Sequence, residues 1–326
     1  MTAPAPRRVL VVHPGALGDV LQAVPALRVL AMLDGGGARV SLAAQPRLAA
    51  LLAGAGVVDE ALSFDSLGLE ALFADAPVPA ALADRLAGFH AGVSWFGARS
   101  APYPDRLRAL APGAILAPPV PESGAPPGAP VWRHLLASLA PLPARAGSRA
   151  EGALVAPLAV PAAWRARARD ALGAIGVAAA RPILLVHPGA GGRDKRWPVE
   201  RFAETIAALG DEHALVLHEG PADHEAVAAL AARLATLGAG GTPARLVEPD
   251  LLLLAGALAE ARAYLGGDSG VSHLAAAVGA AAVIAFPPAT RELWAPWGPG
   301  ARSIGPDDDA ATALQSALTG RARPPI

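Results

Sequence analysis

Four stretches of the 326-residue chain carry side chains whose types and spacing could do chemistry. Residues 266–279 read Gly-Gly-Asp-Ser-Gly-Val-Ser-His-Leu-Ala-Ala-Ala-Val-Gly, leaving an apolar segment and entering a run of small residues. Glycines let the backbone approach a ligand closely, and free N–H groups at a helix start attract an anion. A diphosphate fits such a place, with Gly270 in the turn and Ser269 and Ser272 as further donors. Asp268 cannot favour phosphate by charge, so it either orients the loop or accepts from a sugar or ribose hydroxyl. His273 reads as a contact to phosphate or sugar, or as a core histidine bonded to backbone. The Gly-x-Gly-x-x-Gly spacing of a dinucleotide fold is absent, and no Walker lysine follows.

The second stretch is Gly189-Ala-Gly-Gly-Arg-Asp-Lys-Arg-Trp-Pro198. Lys195 in such a loop can meet phosphate as a mobile point charge and steady the negative charge growing on a leaving group. Gly189, Gly191 and Gly192 leave backbone N–H groups for the same work, and Trp197 reads as a packing anchor. In the third, His218-Glu-Gly-Pro-Ala-Asp223, Glu219 could accept from ribose or base, or cap the next helix. The fourth is Gly15-Ala-Leu-Gly-Asp19, with Gly15 and Gly18 shaping a turn. Asp19 is there either as a helix cap or as a general base on an acceptor hydroxyl.

The elements that must hold these groups are announced by a duplicated phrase. Residues 8–16 read Arg-Val-Leu-Val-Val-His-Pro-Gly-Ala, and residues 182–190 read Pro-Ile-Leu-Leu-Val-His-Pro-Gly-Ala. A branched apolar run broken by Pro-Gly is how a buried parallel strand and its turn read. The copies specify two similar scaffolds, and neither His13 nor His187 is assigned a catalytic role. In the first half the pattern predicts strands over 9–12 and 39–43 and helices over 18–33 and 46–52. Pro25 demands a kink or a late start in the first of these helices.

Residues 112–130, dense in Pro, Gly and Ala, read as a connector or as a flap over substrate. A linker near 157–161 divides domains at 1–157 and 158–326, and a helix over 162–173 follows it. The second half then predicts strands over 183–187, 214–218, 245–247, 263–265 and 282–286. Helices are predicted over 199–209, 222–237, 251–261, 272–278 and 308–318. Strands and helices alternating at this spacing imply an α/β protein with parallel, doubly wound sheets. Asp307–Asp309 suits the positive end of the last helix.

Composition narrows the class. The chain is 53% hydrophobic, carries a formal net charge of −1 and has no cysteine. Disulfides, thiol catalysis and cysteine-ligated metals are excluded, and no basic excess points to nucleic acid. The apolar run after the N-terminus is too short for a signal-peptide core or a membrane span, so a soluble protein is expected.

Taken in order, the four stretches and the closing Trp294-Ala-Pro-Trp-Gly-Pro299 resemble glycosyltransferase family 9, the ADP-heptose:lipopolysaccharide heptosyltransferases. The resemblance implies a GT-B fold: two Rossmann-like domains with parallel sheets facing a central cleft. The first domain would bind the acceptor and the second the nucleotide sugar, with the final helix free to pack back on the first. It implies an inverting transfer of heptose from ADP-heptose to an inner-core hydroxyl of lipopolysaccharide. Asp19 matches the family's base, Lys195 the lysine at the donor phosphates, and Glu219 the acid near the nucleoside. Asp268, Ser269, Gly270 and His273 match its donor loop.

Where the family often has hydroxyl residues before the lysine, this chain has Ala190, Gly191 and Gly192. Beyond the nucleotide-sugar co-substrate no cofactor or metal is expected. A cytoplasmic monomer is expected, touching the inner face of the membrane to reach a glycolipid acceptor. Arg85, Arg99, Arg106 and Arg108 could meet acidic sugars or lipid phosphates, or form a plain solvated face. The alternatives are another nucleotide-sugar donor or acceptor, a sugar-nucleotide 2-epimerase, or a non-catalytic nucleotide-sugar-binding protein.

Overall fold

The computed structural model describes residues 6–122, 129–142 and 151–319. The chain divides into two compact units, Met1–Val155 and Ala156–Ile326. Each is built on one wholly parallel sheet.

The first unit contains β1 (Arg8–Val12), β2 (Arg39–Ala44), β3 (Glu60–Ser63), β4 (Ala91–Ser94) and β5 (Ile115–Leu116). Their spatial order is β3-β2-β1-β4-β5. The chain therefore winds outward from β1 to one side and then returns to begin again on the other. That reversal between β1 and β4 is a topological switch point, where loops diverge and open α/β sheets place their ligands. Leu10, Val12, Ala43, Leu72, Leu82 and Tyr103 are part of the core on one face.

The second unit contains β6 (Ile183–His187), β7 (Ala214–Glu219), β8 (Ala244–Val247), β9 (Ala263–Gly267), β10 (Ala282–Ala285) and β11 (Ala301–Ile304). The order β11-β10-β9-β6-β7-β8 puts its switch point between β6 and β9. Phe202, Ile206, Leu217, Leu230, Leu265 and Leu314 are packed together in its core. The final helix, Ala310–Thr319, packs on β9, β10 and the helix Val199–Ala208.

On entering this unit, Leu158 N–H donates to Ala277 O at 2.8 Å. The helix Ala162–Ala174 then lies against the helix Leu251–Glu260. A Cβ on Gly256 would fall 2.3 Å from Trp164 O, so the two backbones approach as closely as a glycine permits. Arg165 and Arg169 add ion pairs to Glu260 at 3.1 and 3.2 Å.

The predicted helix over 18–33 breaks, as Pro25 requires, into two helices, Leu17–Gln22 and Val24–Ala31, with Pro25 in the first turn of the second. Strands β3, β4, β5 and β11 were not foreseen: β5 has two residues, and the others are short and largely small or polar. Within 112–130 the chain makes β5, while residues 123–128 lie outside the described residues. At the last helix, Asp309 accepts from Thr312 N at 3.0 Å and from Thr312 Oγ1 at 2.6 Å, a capping role.

Candidate functional site

In the second unit β9, β6 and β7 are parallel neighbours, so the loops leaving them share one edge of the sheet. The β9 loop delivers Asp268 and Ser269 into the helix Gly270–Ala277. Ser269 is the N-cap, its Oγ accepting from Ser272 N at 3.3 Å. Beneath it Ser272 is completely buried, with Oγ donating to Gly267 O at 2.6 Å and lying 2.8 Å from Tyr264 OH. Ser272 therefore braces the loop from below; its hydroxyl is already committed.

The β6 loop runs through Gly189, Gly191 and Gly192 into a 3₁₀ turn, Arg193–Lys195. Arg193 and Arg196 pair with Glu225 at 3.1 and 3.6 Å, tying this turn to the helix His224–Leu237. Trp197 is buried edge-on to Phe202, as an anchor. The main chain at 195–197 then crosses Gly267. A Cβ there would meet Lys195 O at 3.6 Å and Trp197 N at 3.8 Å. The crossing carries Lys195 to Asp268, with Nζ to Oδ2 at 3.5 Å.

The Asp268 side chain is 5% exposed and the Lys195 side chain 39%. Thr290 Oγ1 donates to the same Asp268 oxygen at 3.1 Å. His273 lies alongside, its ring edge-on to Phe286 and Trp294. Burial pushes its imidazole down to about 4; Asp268 opposes that effect and Lys195 reinforces it. His273 is therefore neutral at neutral pH. Lys195, Asp268 and His273 thus cluster at the β6/β9 switch point, beside a helix N-terminus. The combination of a cation, backbone donors and a fixed carboxylate suits an anion joined to a hydroxylated group.

Glu219 stands one strand further out and is already engaged. Arg245 and His224 both hold its buried carboxylate, the latter at 3.0 Å. The His224 hydrogen bond foremost, then Arg245, draws its carboxyl below the usual range against the effect of burial.

The residue that sequence reasoning passed over is Asp223, four positions on. Its carboxylate accepts from Gly220 N at 3.1 Å and packs so closely on Gly189 that a Cβ there would lie 2.0 Å from Oδ1. The glycine spacing 189 and 220, opposite one acid, was the available signal.

In the first unit Asp19 occupies the first turn of the helix Leu17–Gln22, and its Oδ2 accepts from Ala16 N at 2.9 Å. Asp19 therefore caps the helix from within, at the loop leaving β1 beside the β1/β4 switch point. Gly15 is required there, since a Cβ would lie 2.7 Å from Asp19 Cβ and 2.9 Å from His13 Cε1. Gly18, the next residue after Leu17, lies within the same helical turn.

His13 is buried with its ring edge-on to Trp95, and Trp95 Nε1 donates to Ser138 Oγ at 3.0 Å. Burial lowers the His13 imidazole to about 4 against an opposing backbone contact at Asp19.

The four arginines considered for acidic ligands all have partners within this unit. Arg85 donates to Ser66 O and Arg106 to Ala76 O. Arg99 pairs with Glu122 at 3.7 Å and Arg108 with Asp105 at 3.6 Å. Among the described residues no helix is long and apolar enough to cross a membrane.

The sequence profile of glycosyltransferase family 9 (heptosyltransferase) matches residues 135–317, more than half of the chain. Solved structures give the same fold. A family 9 glycosyl transferase from Veillonella parvula is 18% identical, with a TM-score of 0.72 over 95% of this chain and 89% of that one. Escherichia coli ADP-heptose lps heptosyltransferase II is 20% identical, with a TM-score of 0.66 over 91% and 90%. Escherichia coli heptosyltransferase WaaC with ADP is 20% identical, with a TM-score of 0.61 over 91% and 93%. A search of curated proteins found no match.

Proposed function

The chain belongs to glycosyltransferase family 9, the heptosyltransferases, and from that premise we propose the particular transfer it performs. The donor is ADP-heptose, the acceptor is a hydroxyl of the lipopolysaccharide inner core, and the displacement inverts the anomeric carbon. The protein acts as a monomer in the cytoplasm, at the inner face of the membrane where such a glycolipid is exposed.

What carries the reading is the Lys195–Asp268 pair at the switch point of the second sheet, next to the N-terminus capped by Ser269. In the proposed complex the donor diphosphate lies along that helix start, among the N–H groups near Gly270 and those of Gly189, Gly191 and Gly192. Lys195 balances the charge that grows on departing ADP, without a metal ion. Asp268 accepts from a sugar hydroxyl, and neutral His273 offers one ring nitrogen beside it. Glu219 is assigned to the nucleoside end of the donor.

Asp19 is the proposed base. It takes the proton of the attacking acceptor hydroxyl as the new glycosidic bond forms and the bond to ADP breaks. Its Ala16 contact leaves a carboxylate oriented by backbone, which is what a positioned base requires. One Escherichia coli relative is an ADP-heptose lps heptosyltransferase and the other holds ADP, which supports the choice of nucleotide.

A thermal-shift screen of nucleotide sugars tests the donor. ADP-heptose should stabilise the protein well above UDP- and GDP-sugars, and mass analysis of a core acceptor should show one added heptose. Indifference to ADP-heptose overturns the donor; binding without transfer turns the protein into a nucleotide-sugar-binding protein.

A further inference from the structure

We propose that His187, His218 and Asp223 form a binding site for one divalent transition cation of the zinc and cobalt class. His187 closes β6 and His218 lies one residue before the end of β7, on adjacent parallel strands, so the sheet register brings both imidazoles to one place. Their Nδ1 atoms stand 3.0 Å apart. Asp223 Oδ2 lies 4.0 Å from His187 Nδ1, and one ligand atom from each of the three residues falls within 4.8 Å of the others. Tetrahedral bonds of about 2.0–2.1 Å put ligand atoms about 3.3 Å apart, so small adjustments bring all three onto one ion.

The proton count favours a cation. Two Nδ1 atoms facing each other share one proton at most, and the Asp223 carboxylate adds a third set of lone pairs. All three residues are buried. Among the described residues, the basic side chain within ion-pairing reach of Asp223 is His187, and no lysine or arginine comes as near. Two imidazoles and a carboxylate are also a donor set that binds zinc-like ions.

The placement gives the ion a task. Asp223 touches Gly189 and Gly220, the roots of the loops that leave β6 and β7. A cation held there pins both roots to the sheet edge from beneath. It stabilises the loops and takes no step in sugar transfer, so the site stands whichever donor the protein uses.

The test strips the full chain with a chelator and titrates it with Co²⁺. One equivalent should bind, with the visible absorption of imidazole-ligated cobalt and a rise in Tm. His218→Asn and Asp223→Asn should each weaken binding by at least about tenfold. Undiminished affinity in both variants overturns the site.

Since either variant can lose its fold, the wild-type protein is also read by imidazole ¹⁵N NMR with Zn²⁺. Shifts of the His187 and His218 Nδ1 signals support the site. A persistent Nδ1–H···Nδ1 hydrogen bond unaffected by Zn²⁺, or shifts confined to exposed histidines, overturns it.

Discussion

Lys195 Nζ lies 3.5 Å from Asp268 Oδ2, joining the two loops that flank the switch point of the second sheet. If this lysine meets the donor diphosphate, Lys195→Ala should weaken ADP binding by calorimetry. It should also lower kcat/KM by about 10²–10³, the usual cost of removing one electrostatic contact to developing charge. Lys195→Arg should rescue poorly, because a planar fork does not reproduce a compact ammonium beside Asp268. Unchanged kinetics would remove the lysine from the site.

Asp19→Asn keeps the side-chain shape and the backbone contact to Ala16 while discarding the basic carboxylate. Transfer should fall by about 10²–10⁴, with ADP affinity nearly intact. Calorimetry and single-turnover assays on one preparation separate the two readouts. Equal loss of binding and turnover would make Asp19 a structural cap alone.

Gly256→Ala should destabilise the second unit by about 1–3 kcal/mol. The added methyl meets Trp164 O at 2.3 Å and its carbonyl carbon at 2.8 Å, backbone atoms that cannot rotate away. Urea denaturation measures the loss. Gly191→Ala is the control, since a Cβ there has no neighbour within 4 Å.

His13 and His273 make each unit sensitive to acid. Both imidazoles sit near 4 when folded, against an ordinary value of 6.5, chiefly because burial disfavours the charged ring. The unfolded chain therefore binds more protons between those values. The stability they lend is complete above pH 6.5 and drains away as the pH falls towards 4. Denaturation midpoints at pH 7.5 and 5 should differ accordingly, and His13→Gln and His273→Gln should each flatten the slope. A slope unchanged in both variants would show that other groups set it.

Much of this was legible from the chain. The long apolar strands β1, β6 and β7 announce themselves because burial on both faces demands continuous branched residues. Strands β3 and β11 do not, being four-residue edge strands with half-exposed residues and no periodic signal. The glycine-rich loops were readable as places of close backbone approach, which leaves its mark as missing side chains. What could not be read was which polar groups would meet. Ser272 looks like a phosphate donor until β9 is seen to place Gly267 O within its reach. Glu219 looks free until β8 sets Arg245 beside it. Asp223 and the two strand-end histidines converge only through the pairing register of β6 with β7. The Glu219–Arg245 and His187–His218 encounters join residues 26 and 31 positions apart, and Ser272 meets Gly267 only through the turn between strand and helix, none of which local spacing encodes.

Beneath the β9 loop the place of one hydroxyl hydrogen fixes the others. Ser272 gives its only hydroxyl hydrogen to Gly267 O, so Tyr264 and Ser269 must be the givers in their contacts with Ser272 Oγ, at 2.8 and 3.1 Å. Tyr264 is sealed beneath the strand, whereas Ser269 stands at the helix mouth. Ser269 thus owns a rotor at the helix mouth able to swing towards an arriving oxygen, surrendering its side-chain contacts with Ser272 and Tyr264. Its own oxygen meanwhile keeps the hydrogen bond from Ser272 N. The cap draws on the oxygen and any such swing on the hydrogen of one hydroxyl group, and neither has to give way to the other.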